Sequence, residues 1–144
     1  MSQEDTIHLL KECDAGVKMG VSSIDDVLDK VESAALKEKL QESKKQHEEL
    51  GNRCHSYLNV LDSEEKDPGP MAKAMAHIKT SMKLMPTPTD MEIAELMYDG
   101  CNMGIKSLYK YLHQYKGANG DSKKLTEKII KCEEDLRETV KEFI

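Results

Sequence analysis

Apolar side chains recur every three or four positions along four long stretches of the chain, and this period determines the expected fold class. A stripe with this spacing lies on one face of an α-helix, so each stretch predicts an amphipathic helix. The first stripe comprises Ile7, Leu10, Asp14, Val17, Val21, Ile24, Leu28 and Val31. No segment alternates as a half-buried strand does. We therefore predict an all-α protein with long helices at about residues 6–31, 35–62, 90–116 and 121–143.

The connections between these helices differ greatly in length. The first and last are about four residues long, which forces the helices they join to run antiparallel. The middle connection contains the helix-breaking cluster Asp67-Pro68-Gly69-Pro70 and then a short amphipathic helix at about residues 71–85. We expect a single domain, residues 1–144, in which two antiparallel helical hairpins are joined by a long crossover containing that short helix.

Part of the sequence is repeated. Residues 19–24 (MGVSSI) match residues 103–108 (MGIKSL), and Gly16 and Gly100 fall at the same offset, so the first and third long helices each carry G-x-x-x-G. A glycine inside a helix costs roughly 1 kcal/mol against alanine. The repeat therefore predicts two hairpins of common ancestry and a close, backbone-to-backbone crossing of the first and third long helices.

Charge and cysteine content limit the functions open to the chain. The net charge of −6 argues against nucleic-acid binding, which normally requires an extended basic surface. The one local basic cluster consists of Lys73, Lys79 and Lys83. No apolar run is long enough for a membrane span, and the N-terminus does not resemble a signal peptide, so we expect a cytoplasmic protein. The four cysteines are far apart in sequence and are expected to be buried free thiols.

This layout of helix, helix, short linker helix, helix, helix resembles the ferritin-like four-helix bundles, and within them a bacterial branch of unknown function. The matching stretches are residues 9–16 (LLKECDAG), the linker helix 71–85, and residues 99–104 (DGCNMG) leading into 108–111 (LYKY). The resemblance covers nearly the whole chain and rests on layout more than on a signature. It implies a ferritin-like four-helix bundle and makes a dimer the expected assembly.

The sequence lacks the residues of a ferritin-like di-iron centre. Such a centre needs a Glu on the first and third helices and Glu-x-x-His on the second and fourth. Only His8 has an acid three positions earlier, Asp5, and that pair lies at the start of a helix. The last helix has no histidine, and its acids mostly lie off the apolar stripe. We expect no cofactor.

Two polar residues nevertheless occupy stripe positions, Asp14 on the first helix and His47 on the second. Hairpin geometry places Asp14 level with residues 50–54, and a slip of one turn would bring it to His47. The pattern is compatible with a polar pair that fixes helix register, or with a non-standard metal site in which Asp14 and His47 are joined by Cys13 or Cys54. Stripe edges that face solvent are a third interpretation.

Methionines are concentrated in the linker helix, where Met71, Met75, Met82 and Met85 form one face together with Ile78. This face is expected either to pack on the bundle, since methionine fills irregular gaps, or to dock a second copy or a partner protein. Binding of Cu(I) with His77, or contact with a membrane surface, are further alternatives.

No motif of a hydrolase, a P-loop or a Rossmann fold occurs in the chain, and no residue stands out as a nucleophile. We therefore expect a non-catalytic interaction or structural protein without a classical di-iron site. The alternative is a metal-binding or redox four-helix bundle with a non-standard site.

Overall fold

The computed structural model describes residues 2–61 and 87–144, which form four α-helices and, within these two ranges, no strand. They are α1 (Gln3–Leu28), α2 (Ala34–Val60), α3 (Asp90–Gln114) and α4 (Gly120–Lys141). The all-α four-helix prediction is confirmed for this part of the chain. The predicted short helix at 71–85, with its methionine face, lies outside the described residues. None of these four helices combines the length and apolarity needed to cross a membrane.

Side-chain caps define where each helix begins. Ser2, Ser33 and Asn119 accept hydrogen bonds from backbone N–H groups in the first turns of α1, α2 and α4. Thr89 forms a capping box with Glu92 at the start of α3. Because Ser2 is its cap, α1 begins three residues earlier than expected.

The first helix also ends earlier than its apolar stripe. α1 stops at Leu28, and Lys30 N donates to Val27 O in the turn that follows. Val31 is nevertheless buried, because the stripe continues into the hairpin turn and packs there against the core.

Contacts between side chains give the direction of each helix. His55 on α2 reaches Asp14 and Lys44 reaches Asp25, so α1 and α2 are antiparallel. Arg137 donates to Asn102 across the second hairpin, where Glu133 also lies against Gly104, so α3 and α4 are antiparallel too.

The two hairpins pack so that α2 and α3 run in the same direction. The rings of His8 and Tyr115 lie 5.3 Å apart in a tilted arrangement, which places the start of α1 beside the end of α3. Leu61 at the end of α2 shares a surface pocket with Thr6, whereas Asp90 at the start of α3 contacts the turn between α1 and α2. The end of α2 and the start of α3 therefore lie at opposite ends of the bundle.

The core divides into two apolar clusters. One is built on residues such as Ile24, Leu40, Met97 and Leu136, and the other on residues such as Val17, Cys54, Ile105 and Ile129. Each cluster draws on all four helices, so burial of apolar surface holds both hairpins together. Between the two apolar clusters lies one layer that contains buried polar side chains.

Candidate functional site

A buried ion pair between His47 of α2 and Glu133 of α4 occupies the layer between the two apolar clusters. The distance from His47 Nε2 to Glu133 Oε1 is 2.5 Å, and the imidazole is fully buried. On the other side of the ring, Nδ1 lies 2.7 Å from the carbonyl oxygen of Ser43, one turn earlier on α2. Both ring nitrogens therefore have partners within the protein.

The geometry indicates where the protons of this pair reside. A backbone carbonyl only accepts, so Nδ1 must donate to Ser43 O. The short contact between Nε2 and Glu133 needs one further proton between the two atoms. Burial by itself lowers the pKa of His47, but the hydrogen bonds to Cys132 and Glu133 and the charge of Glu133 outweigh it and hold the pKa well above its usual value. The pair is therefore an imidazolium beside a carboxylate.

Glycines from the other two helices make room for the pair. A Cβ added at Gly20 of α1 would lie 2.8 Å from His47 Cδ2 and 3.0 Å from Nε2. A Cβ added at Gly104 of α3 would lie 3.5 Å from Glu133 Oε2. The central layer thus takes one residue from each helix: Gly20, His47, Gly104 and Glu133.

The G-x-x-x-G motifs surround space between α1 and α3. Their four glycines, Gly16, Gly20, Gly100 and Gly104, line a cavity of about 30 Å³, together with Ser23, Glu133 and apolar side chains. This volume suits one or two water molecules. The glycines from which a close crossing of α1 and α3 is predicted therefore line a small cavity, to which Glu133 also contributes.

Two thiols lie beside the central layer. Cys132 Sγ is 3.5 Å from His47 Nδ1. Burial raises the pKa of Cys101, and the adjacent Glu133 raises it further, partly through a hydrogen bond with the thiol. The described cysteines are all free and buried, as the sequence predicts.

A second polar cluster involves Asp14, whose carboxylate is fully buried between α1 and α2. His55 Nε2 lies 2.9 Å from its Oδ1, and Lys18 Nζ lies 3.0 Å from its Oδ2. About two fifths of the Lys18 and His55 side chains is exposed to solvent. The cluster lines an open groove, and each carboxylate oxygen has a nitrogen of Lys18 or His55 within 3.0 Å.

A third group of residues, some buried and some half-buried, lies nearer the start of α1. Cys13 Sγ is 3.1 Å from Thr126 Oγ1, and burial raises the pKa of Cys13 to about 12. Burial and the neighbouring Glu12 carboxylate raise the pKa of Tyr111 to about 12. At neutral pH the Cys13 thiol and the Tyr111 hydroxyl are therefore protonated.

The structure buries both polar stripe residues, Asp14 and His47, but gives them different partners. Asp14 contacts His55, which directly follows Cys54. This contact agrees with the level near residues 50–54 that is predicted for a hairpin without a slip. The one-turn slip that would have joined Asp14 to His47 does not occur. His47 instead pairs across the bundle with Glu133.

The prediction that the acids of the last helix mostly lie off the apolar stripe does not hold for Glu133, which is buried and pairs with His47. The spacing of Glu133 from its apolar neighbours on the last helix indicates its burial. Glu133 follows Ile129 by four positions and precedes Leu136 by three, so all three share one helical face. An acid at such a position needs a buried cationic partner, and His47 is the one supplied by α2.

These side chains do not form a ligand set for a metal. Across residues 2–61 and 87–144, no group of three or more histidine, cysteine, aspartate or glutamate side chains is placed to hold a metal ion. Comparison with protein-family models, with curated proteins and with solved structures finds no match to this chain.

Proposed function

We propose that this chain is a non-catalytic interaction or structural protein, cytoplasmic and built on a ferritin-like scaffold that has lost its irons. The bacterial branch named above is the proposed relationship. One observation carries the proposal. The polar layer at the centre of the bundle, where ferritin-like oxidases hold their metals, is here closed by an internal pair of His47 and Glu133.

The chemistry of the buried groups supports this proposal. Both nitrogens of His47 are bound within the protein, so its ring offers no free base to a substrate. Burial raises the pKa of Cys13, Cys54 and Cys101, which keeps these thiols protonated and weakly nucleophilic. Asp14 is paired with Lys18 and also contacts His55. Groups held in this way stabilise and orient helices.

The partner that we propose is a second copy of the chain, docked through the face of Met71, Met75, Met82 and Met85. Support for this part comes from the sequence, where these residues repeat at spacings of three, four or seven, a pattern that predicts one side of a helix. Methionine surfaces adapt to a partner because the side chain is unbranched and polarisable. The parallel directions of α2 and α3 add support for the ferritin-like arrangement, which needs a long crossover.

Size-exclusion chromatography with light scattering tests the proposed assembly. The wild-type chain should have twice the mass of one chain, and the double variant Met75→Lys, Met82→Lys should have the mass of one. Met91 and Met103 supply the matched control, because both are exposed on α3. The double variant Met91→Lys, Met103→Lys should keep the wild-type mass.

Two results would overturn the proposed docking. One is a wild-type chain that stays monomeric throughout the accessible concentration range. The other is a loss of helicity by circular dichroism in the Met75→Lys, Met82→Lys variant, which would identify the methionine face as part of the core.

The alternative is a metal-binding or redox bundle with a non-standard site. It is favoured by one observation, since His47 and Glu133 are two metal-ligating side chain types whose polar atoms lie 2.5 Å apart. A metal would have to displace the proton between them. Elemental analysis of protein purified without a chelating tag tests this alternative. A stoichiometric metal that is lost in His47→Gln but retained in Asp14→Asn would favour it over the proposal.

A further inference from the structure

Acidic and basic side chains are segregated along the second hairpin, which α3 and α4 form. In α3 the acids all precede the lysines, in the order Asp90, Glu92, Glu95, Asp99, Lys106 and Lys110. In α4 the order is reversed and less strict. Four of the six charged residues at 120–131 are lysines, whereas four of the six at 132–141 are acids. The net charge of each helix therefore changes sign near its middle.

The antiparallel packing of α3 and α4 brings charges of the same sign together. Arg137 Nη1 donates a hydrogen bond to Asn102 Oδ1, and this contact fixes the relative level of the two helices. Lys110 then lies near the level of Lys128. The acidic halves of α3 and α4 are thus side by side at one end of the bundle, and the basic halves are side by side at the other. We call these the acidic end and the basic end of the second hairpin.

This segregation does not stabilise a single chain. Like charges four positions apart on a helix repel each other, and α3 contains two such pairs on its exposed surface, Glu95 with Asp99 and Lys106 with Lys110. The first hairpin has no such division, since both signs of charge occur in each half of α2. The division is therefore specific to the second hairpin, and an interaction outside the single chain accounts for it better than folding does.

A second copy of the chain complements this pattern when it lies antiparallel to the first. A two-fold axis perpendicular to the helices reverses the direction of the second copy, and such axes are common in homodimers. With the two α3 helices level, Glu95 is level with Lys110 of the second copy, and Asp99 with Lys106 of the second copy. A parallel copy would instead bring acids to acids and lysines to lysines. The charge pattern is therefore self-complementary in the antiparallel orientation alone.

We propose that two copies of the chain associate antiparallel, with the acidic end of each second hairpin beside the basic end of the other. This inference rests on the proposed function, in which the partner is a second copy, and adds the orientation of that copy and the surface that selects it. The charges act across solvent at the rim of the dimer. Such charges fix orientation and speed association more than they add affinity, so the methionine face still supplies the apolar contact.

Two charge-reversal variants of α3 test the orientation, with the dimer dissociation constant measured by sedimentation equilibrium at low salt. Glu95→Lys, Asp99→Lys reverses charges at the acidic end, and Lys106→Glu, Lys110→Glu reverses charges at the basic end. Each variant should dimerise about tenfold more weakly than the wild type, because the attraction between unlike ends is largely lost. The first variant also makes the net charge less negative, so simple repulsion between two anionic chains predicts the opposite change for it.

Mixing the two variants controls for misfolding. An equimolar mixture should dimerise several-fold more tightly than either variant alone, because the intact basic end of one meets the intact acidic end of the other. A variant that had only lost its fold could not be rescued in this way. The matched control is Glu38→Lys, Glu42→Lys, which reverses two exposed acids four positions apart on α2. Because α2 packs on α1 and α4 and lies diagonally opposite α3, this variant should keep the wild-type affinity.

Salt gives an independent measure of the sign of the interaction. The wild-type dimer should weaken about tenfold between about 20 mM and about 500 mM NaCl, because salt screens attraction between the ends. Tighter association of both reversal variants, or a wild-type dimer that strengthens in salt, would indicate a parallel dimer and overturn the inference. Unchanged affinity in both variants would overturn the orientation and leave the second copy as the partner. A wild-type chain that is monomeric at both salt concentrations would overturn the proposed function itself, and the orientation with it.

Discussion

Thr6 and Asp90, which stand 84 positions apart, perform the same task at opposite ends of the bundle. Thr6 Oγ1 accepts a hydrogen bond from the backbone N–H of Asn119, and Asp90 Oδ2 accepts one from that of Ser33, each at 2.9 Å. Asn119 and Ser33 are the N-caps of α4 and α2. The first helix of each hairpin therefore holds the start of the second helix of the other. The two G-x-x-x-G motifs share this 84-residue offset, which supports an origin by duplication.

Removing the Asp90 carboxylate should loosen one end of the bundle. Its two oxygens accept backbone N–H groups of Glu32 and Ser33 at 2.9 Å each. We expect Asp90→Ala to lower the free energy of unfolding by about 1–2 kcal/mol, measured by urea denaturation, because two donors lose their protein partner. Asp90→Asn, which keeps one acceptor oxygen, should fall between the wild type and Asp90→Ala.

Removing the Thr6 hydroxyl, at the other end of the bundle, should lower the free energy of unfolding by less than removing the Asp90 carboxylate. Thr6→Val keeps the shape of the side chain and removes the acceptor for Asn119 N, which should cost about 1 kcal/mol. Because the two sites lie at opposite ends, the costs should add in Asp90→Ala, Thr6→Val to within about 0.5 kcal/mol. A clear departure from additivity in urea denaturation would contradict the independence of the two ends.

Equivalent glycines of the repeat should respond oppositely to alanine. A Cβ at Gly20 would overlap the His47 ring, which is fixed by hydrogen bonds at both nitrogens, whereas a Cβ at Gly104 would make an ordinary contact with Glu133. We expect Gly20→Ala to lower stability by about 1–2 kcal/mol through overpacking. Gly104→Ala should leave it unchanged or raise it by up to about 1 kcal/mol through helix propensity. Chemical denaturation of both variants measures this, and equal effects would argue against the packing described at Gly20.

Neutralising Glu133 should destabilise the fold, because it leaves the buried imidazolium of His47 without its counter-charge. We expect Glu133→Gln to lower the free energy of unfolding by about 3 kcal/mol. The control is Glu127→Gln on the same helix, where the side chain is exposed and the change should cost less than about 0.5 kcal/mol. If both variants were equally stable, the pair would not be a determinant of the core.

The raised pKa of His47 predicts how stability depends on pH. A histidine whose pKa is raised in the folded state contributes stability that is fully present below the unfolded value of 6.5. That contribution is lost as the pH rises through the folded pKa. We therefore expect wild-type stability to fall above pH 6.5 by up to about 1.4 kcal/mol per pH unit relative to His47→Gln. The difference between the two denaturation series, taken at each pH, isolates His47 from the other titrating groups. A flat difference would contradict the charged pair.

The sequence predicts much of this fold because the helical period is a local signal. The four stripes identify the helices, and the buried state of Asp14 and His47 follows from their stripe positions. The level of Asp14 near residues 50–54 also follows from the length of the first turn, and its partner His55 lies next to that range.

The contacts between the two hairpins could not be predicted from the helical period, which is a local signal. His47 and Glu133 are 86 positions apart, and their pairing depends on how α2 packs against α4. Glutamates are common on solvated helix faces, so the acid at position 133 resembles its exposed neighbours until its spacing from Ile129 and Leu136 is compared. Likewise, the motif at Gly20 and Gly104 signals that space is needed there, but it does not specify which side chain fills that space.

The protonation state of His47 tests the central claim most directly. This claim is that His47 and Glu133 share a proton and pair with each other instead of binding a metal. Nitrogen-15 correlation spectra of the imidazole, recorded at pH 8 on tag-free protein before and after a chelator, report on both ring nitrogens. We predict that both nitrogens carry a proton and that the chelator leaves the spectrum unchanged. One bare nitrogen at pH 8, or a signal that shifts when the chelator is added, would contradict the closed polar layer.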